Sequence, residues 1–335
     1  MSRSSRFTSR TADLGHRLRR LPILAASLIA ASAGAANDQA GLTELKRLLT
    51  DQTAVNGVFV QRRLGYDGSE TYVIKLEIAR KFGTRFTILQ PISSQGVTSI
   101  DDGKELRTYY PDTHSITIQP SAVSFSVGLN ERMKLIQKNY DVTLGRPVTI
   151  AGRRANLVEL EPRSAAMPTR LMAIDQKQNA LLRYELVSRT GSKTRLVDTI
   201  SVEYASSDRT SSFKFDAPRD TATERMWGPK PFKDLKFAAA AVGFEPRIPA
   251  SLPYGFTIQG QQLVGQENAP FISIRVSDGM SMATIYQWDP SRFSGGPPQG
   301  LKGQHKDRFG IHFQVQGDAP RTVLAELGEQ FARLR

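Results

Sequence analysis

Three histidines follow the first 35 residues: His114, His305 and His312. None has a second histidine or a carboxylate at metal-ligand spacing, and H-E-x-x-H and its relatives are absent. His114 falls in a turn-like Asp112-Thr-His-Ser run, and His312 alternates with Ile311 and Phe313, which reads as a solvent-facing strand position. Adjacent carboxylates Asp101-Asp102 could share a proton, but Gly103 follows them and the trio reads as a hairpin turn. G-x-S-x-G, G-x-x-x-x-G-K-[ST] and G-x-G-x-x-G are all missing, so the common hydrolase, nucleotide and dinucleotide signatures are absent. With no cysteine there is no disulfide, thiolate metal site, cysteine nucleophile or lipid attachment through an N-terminal cysteine. The residues therefore call for no catalytic centre, no metal and no cofactor. The expectation is a protein that is not an enzyme, with an envelope hydrolase as the third-ranked class.

Charge sets the next boundary. Lys and Arg number 45 against 32 Asp and Glu, a net +13. Six of the arginines (Arg3, Arg6, Arg10, Arg17, Arg19, Arg20) lie in the first 35 residues beside one acid, Asp13, so the remainder carries +8. That stretch reads as an export signal: a positive region ending at Arg19-Arg20, an apolar run from Leu21, then Ala-x-Ala at Ala31–Ala33 or Ala33–Ala35. The apolar run is shorter than the roughly 20 residues needed to cross a bilayer. The sequence thus predicts a cleaved signal over 1–35 and a periplasmic mature protein. Basic pairs at Arg62-Arg63, Arg80-Lys81 and Arg153-Arg154 stand apart at strand ends, without interleaved aromatics. Nucleic acid is not an expected partner. Solvated rims are the plainer reading, and peripheral attraction to anionic headgroups or an acidic protein segment the sharper one.

The elements that must position any site come from periodicity. Leu42, Leu45, Leu48 and Leu49 recur at helical spacing. From Val55 the period becomes two, clearest at Thr71–Ile78, where Ile74, Leu76 and Ile78 face one way and Lys75 and Glu77 the other. Further strands are predicted over Arg85–Leu89, Val97–Ile100, Leu106–Tyr110, Ser115–Ile118, Tyr140–Leu144, Asn156–Glu161, Thr169–Ile174, Ala180–Val187 and Thr194–Tyr204. A helix is predicted over Asn130–Lys138. Strand-rich and without βαβ alternation, this is an α+β fold: a large curved antiparallel sheet, a half-barrel, with helices on its concave side. Breakers between Phe215 and Pro249 mark a boundary. The predicted organisation is a half-barrel domain over 36–217, a linker over 218–247 and a small α+β domain over 248–335. Within the latter, strands are expected at Phe256–Gln261, Ile272–Val276, Met282–Gln287 and His312–Gln316, a helix from Arg321 and a mobile loop at 294–300. Asp278-Gly279 reads as a tight turn between two apolar strands.

A curved sheet with helices across it can leave a hollow. Candidate lining residues for an apolar ligand are Phe59, Ile74, Leu76, Ile78, Phe86, Ile88, Tyr109, Ile116, Ile118, Met133 and Ile136. Packed and lining positions share one apolar, period-two pattern, so a plain core filler is the competing reading for each.

The order of these pieces resembles a known family. Val55-Asn-Gly-Val-Phe-Val-Gln61, the strand Glu70–Ile78, the Asp101–Gly103 turn, Asn139–Leu144, Val148–Ala155 and Met172–Gln176 with Leu181–Glu185 resemble the lipoprotein-carrier-like (LolA/LolB-type) domain of bacterial envelope proteins. Leu252-Pro-Tyr-Gly-Phe256, Ile274–Tyr286 and Val315–Leu327 are similar to the C-terminal domain of the MucB/RseB family. Met280 stands where that family usually has leucine and Val276 where it has tyrosine, which marks a divergent member. The resemblance implies a regulator of the sigma-E envelope-stress response. Such a protein would bind the periplasmic domain of a membrane anti-sigma factor, shield it from proteolysis and release it on sensing lipopolysaccharide or an acylated lipoprotein. It implies no catalytic residues. The alternative is a periplasmic lipoprotein or lipid carrier, for which the extra C-terminal residues have no evident use.

Overall fold

The computed structural model describes residues 39–50, 53–65, 68–79, 83–121, 128–204, 213, 218–225, 230–266, 269–293, 304–307 and 309–334. The signal reading at 1–35, the Arg80-Lys81 pair and the 294–300 loop lie outside the described residues.

A helix α1 over 39–50 opens the chain, followed by β1 (Val55–Gly65), β2 (Gly68–Ala79), β3 (Gly83–Gln90), β4 (Thr98–Asp101), β5 (Glu105–Tyr110) and β6 (Ser115–Pro120). Next come α2 (Leu129–Asn139), β7 (Tyr140–Leu144), β8 (Val148–Ile150), β9 (Arg153–Pro162), β10 (Thr169–Asp175), β11 (Leu181–Val187) and β12 (Lys193–Tyr204). The remainder holds β13 (Ala222–Arg225), β14 (Lys230–Pro231), α3 (Leu235–Val242), β15 (Thr257–Gln266), β16 (Ala269–Ser277), β17 (Met282–Trp288), β18 (His305–Lys306), β19 (His312–Gly317) and α4 (Arg321–Ala332).

The fold is α+β, with a 13-stranded sheet and a second sheet of six strands. The large sheet runs β13-β6-β5-β4-β3-β2-β1-β12-β11-β10-β9-β7, with β8 also on β9. Two meanders, β1–β6 and β7–β12, are thus joined where β1 pairs antiparallel with β12. Only β13, lying parallel on β6, breaks the antiparallel pattern among the described residues. Registers shift at Val58/Phe59, Val73/Ile74, Ala173/Ile174 and Tyr184/Glu185. An extra residue at each such place bends its strand and raises the local twist, which is how a wide sheet comes to curve.

The α1 leucines do what their spacing predicts. Leu45 is fully buried in a core with Ile136 of α2, Tyr140 and Val142 of β7, Leu160 of β9 and Met172 and Ile174 of β10, and Leu42, Leu48 and Leu49 pack against it. The second sheet has its own core. Ile272, Ile274 and Val276 of β16, Ile285 of β17 and Phe313 and Val315 of β19 meet Val323, Leu324, Leu327 and Phe331 of α4, all essentially inaccessible. The stretch 218–247, read above as a linker, carries β13 in the first sheet and β14 in the second. It also carries α3, whose Ala238 and Val242 are buried in the second core. Asp234 caps α3 by accepting from Lys236 N at 2.9 Å. Among the described residues, no helix is long and apolar enough to cross a membrane.

Candidate functional site

One face of β1, β2 and β3 meets β10–β12, the end of α1 and the tip of the second sheet around a cavity of about 580 Å³. That volume lies within the usual range for small-molecule sites, roughly 300–1,000 Å³. Its wall is apolar: Leu48 and Leu49 from α1, Val55 and Phe59 from β1, Ile74, Leu76 and Ile78 from β2, Phe86 from β3, Met172, Ala180 and Leu181, and Val197 and Val202 from β12. Leu76, Ile78 and Phe86 remain only half-buried on this face. Large apolar side chains left partly uncovered beneath helices mark a hollow rather than a filled layer.

Five of the eleven residues proposed from sequence line this cavity: Phe59, Ile74, Leu76, Ile78 and Phe86. The others do not. Ile88 pairs with Ile74 and is buried in the packing around it. Met133 and Ile136 fill the core between α2, α1 and the second sheet. Tyr109, Ile116 and Ile118 fall on the opposite face, which the ladder makes explicit. Tyr109 opposes Thr98, Thr98 opposes Thr87, and Thr87 opposes Lys75, which points away from the cavity. Ile116 opposes Tyr109, and Ile118 lies two residues along on the same side.

The residues that sequence reasoning passed over are those brought from far along the chain. The Ser277–Ser281 hairpin between β16 and β17 reaches onto α2 and β10, and its Met280 both lines the cavity and joins the first sheet's core. The expected turn is present: Asp278 Oδ1 accepts from the amides of Met280 at 2.8 Å and Ser281 at 2.6 Å, and Gly279 has φ +100°. It also makes the contact between sheets. A Cβ on Gly279 would stand 2.8 Å from Ile136 N and 2.9 Å from Ile136 Cγ1, so the close approach requires glycine. Around the tip, Arg132 Nε donates to Gly279 O at 3.0 Å, and Asn139 Nδ2 donates to Asp278 O at 2.8 Å and to Gly255 O at 3.1 Å.

A buried polar cluster lies beneath. Arg170 of β10 is completely inaccessible, and its guanidinium donates to the hydroxyls of Tyr140 at 3.4 Å, Tyr184 and Ser281. Tyr140 in turn donates to Asp278 Oδ2 at 2.6 Å. Burial disfavours the Arg170 charge, but Tyr184, Tyr140, Asp278 and Asp318 outweigh it and hold its pKa above the ordinary guanidinium value. Burial, with Asp278 adding to it, pushes the Tyr140 phenol up. Burial likewise raises the Asp318 carboxyl, although Arg170 pulls it down. Such a network holds its elements together only while every member is satisfied, because a buried charge that loses a partner is costly.

The two adjacent carboxylates weighed above accept from backbone amides of their own turn. Asp101 Oδ1 accepts from Gly103 N at 2.8 Å, and Asp102 Oδ1 accepts from the amides of Lys104 and Glu105 at 2.9 and 2.8 Å. His114 is exposed in the β5–β6 turn, while His312 is half-buried, its ring edge-on to Trp288 at 5.6 Å.

Residues 57–220 match the sequence pattern described as the MucB/RseB N-terminal domain. In fold, the chain is similar to a crystal structure of MucB, with a TM-score of 0.56 and 15% identity, covering 87% of this chain and 97% of that one. It is similar also to the Pseudomonas aeruginosa MucA/MucB complex, with a TM-score of 0.57 and 14% identity, covering 86% and 97%. A structure of MucB in complex with MucA(peri) gives a TM-score of 0.54 at 14% identity, with coverage of 86% and 97%. No curated protein matches the chain in sequence.

Proposed function

We propose, from the match of residues 57–220 to the MucB/RseB N-terminal domain, that the protein is a periplasmic, non-enzymatic regulator of the sigma-E envelope-stress response. In this reading it binds the periplasmic domain of a membrane anti-sigma factor and lets go when an acylated lipoprotein or lipid enters the cavity. The fold's similarity to MucB, whose solved structures include complexes with MucA, supports the partner class.

The observation that carries the proposal is that the two sheets share the cavity. Met280 and Asp318 of the second sheet's region stand in the same wall as Phe59, Ile74 and Leu76 of the first. An occupant therefore touches the contact that sets how the sheets sit together. A ligand shifts an equilibrium by as much as it prefers one arrangement over the other, and couplings of this kind are worth about 1–3 kcal/mol. A carrier that merely ferries acyl chains would have no need of a second sheet docked on its cavity through a buried arginine, which favours the regulator.

The test is a titration of the labelled periplasmic segment of the cognate anti-sigma factor with the mature chain. It is run with and without an acylated peptide copied from a lipoprotein N-terminus. Affinity should drop by about 5- to 150-fold when the acylated peptide is present. Equal affinity in both arms rejects the sensor reading.

A further inference from the structure

Two arginines interrupt the apolar wall of the cavity, Arg63 of β1 and Arg132 of α2. They are differently placed. Arg63 is exposed and lies over the rings of Tyr72 and Phe86, 5.2 and 5.9 Å from their centroids. Arg132 is partly buried. Its Nε is used by Gly279 O at 3.0 Å, and the acids that act on its charge, Asp318 and Asp278, do so through space. The two nearby acids are committed elsewhere. Asp278 serves Tyr140 and its own turn, and Asp318 Oδ1 accepts from Met282 N at 2.7 Å within reach of Arg170. Burial lowers the Arg132 pKa by more than Tyr184, Asp318 and Asp278 raise it.

An apolar cavity with a partly buried guanidinium in its wall is complementary to a particular chemistry. We propose that the cavity takes a single-chain amphiphile with an anionic head, the hydrocarbon lying along Phe59, Ile74, Leu76 and Met172 and the carboxylate or phosphate seated on Arg132. The planar guanidinium can offer two parallel N–H donors to either head, and such charge-assisted pairs are about twice as strong as neutral ones. The same guanidinium holds the Gly279 carbonyl, so a seated head draws on the group that ties the hairpin to α2. This deepens the regulator reading and rests on it, since it names the occupant that the shared cavity would sense.

The experiment compares dodecanoate, dodecyl phosphate and methyl dodecanoate, each below its critical micelle concentration. Binding to the full mature chain is read by calorimetry for the wild type and for Arg132→Gln, Arg132→Lys and Arg63→Gln. The wild type should bind at least one of the anions about tenfold tighter than the uncharged ester. Arg132→Gln should bind the ester as before but lose the preference, Arg132→Lys should keep part of it, and Arg63→Gln should keep all of it. A preference confined to dodecanoate identifies a free fatty acid as the source, and one confined to dodecyl phosphate identifies a lipid phosphate; either supports the proposal. Ester binding without any preference for the anions, or a preference that survives Arg132→Gln, overturns the Arg132 assignment alone. Failure of all three probes to bind overturns the apolar berth itself.

Discussion

The Tyr140 hydroxyl, on the first residue after α2, donates to Asp278 Oδ2 in the second sheet's hairpin across 2.6 Å. The two residues are 138 positions apart, and both are buried. Through Arg170 the pair is tied to Tyr184, which lines the cavity, and to Ser281, on the far side of the hairpin. This hydrogen bond is one of several that connect the docking of one sheet on the other with the wall of the hollow between them.

Removing that hydroxyl leaves a buried carboxylate oxygen without its donor. Tyr140→Phe should lower the stability of the folded chain by about 1–3 kcal/mol, read as a lower urea midpoint. A loss below about 0.5 kcal/mol would mean that the contact is not made in solution.

Gly279→Ala tests the close approach itself. The added methyl meets α2 backbone and side-chain atoms at under 3 Å, in a conformation with φ +100°. The expected cost is roughly 1–3 kcal/mol, accompanied by faster proteolysis between the sheets as the hairpin lifts. Unchanged proteolysis and stability would show that the tip does not press on Ile136.

Filling the hollow should separate ligand binding from folding. Ala180 is a small residue in the cavity wall. Ala180→Phe places a ring in empty space, so stability should change by less than about 1 kcal/mol while dodecanoate binding falls at least about tenfold. Binding that persists unchanged would locate the ligand elsewhere.

Acid stability has an identifiable contributor. Burial pushes the Asp175 carboxyl up, but the Arg153 guanidinium, the Lys177 amide, the Tyr204 hydroxyl and the Gln178 amide together bring it below the ordinary value. A carboxyl with a depressed folded pKa stabilises above its unfolded value, about 3.9, and that contribution is lost as the pH falls through the folded one. Asp175→Asn should therefore lower Tm at neutral pH and flatten the fall of Tm below about pH 4. An acid limb as steep as that of the wild type would assign the effect to other carboxylates.

Much of this architecture is legible in the residues, and the exceptions have physical causes. The alternation of Ile74, Leu76 and Ile78 against Lys75 and Glu77 predicts β2 and its covered face, and the α1 leucines predict the helix that lies across the core. Period two names a covered face only relative to its own strand. The pairing offset between strands is not written in either strand's own residues, and Tyr109, Ile116 and Ile118 therefore end on the face opposite Phe86 although their pattern is as apolar. β13 leaves no mark in the sequence, because Ala222–Arg225 is exposed throughout and carries no alternation. The site's decisive members, Arg132, Tyr140, Arg170 and Asp278, come from four separate segments. No local spacing joins them, since their pairing is a property of how the sheets pack.

The most direct measurement uses dodecanoate carrying a photoreactive diazirine near its methyl end, cross-linked to the mature chain and mapped by peptide mass spectrometry. The account predicts adducts on the β1 and β2 peptides holding Phe59, Ile74 and Leu76, all suppressed by excess unlabelled dodecanoate. Adducts gathered on the opposite face at Tyr109, Ile116 and Ile118, or labelling that excess ligand does not suppress, would contradict it.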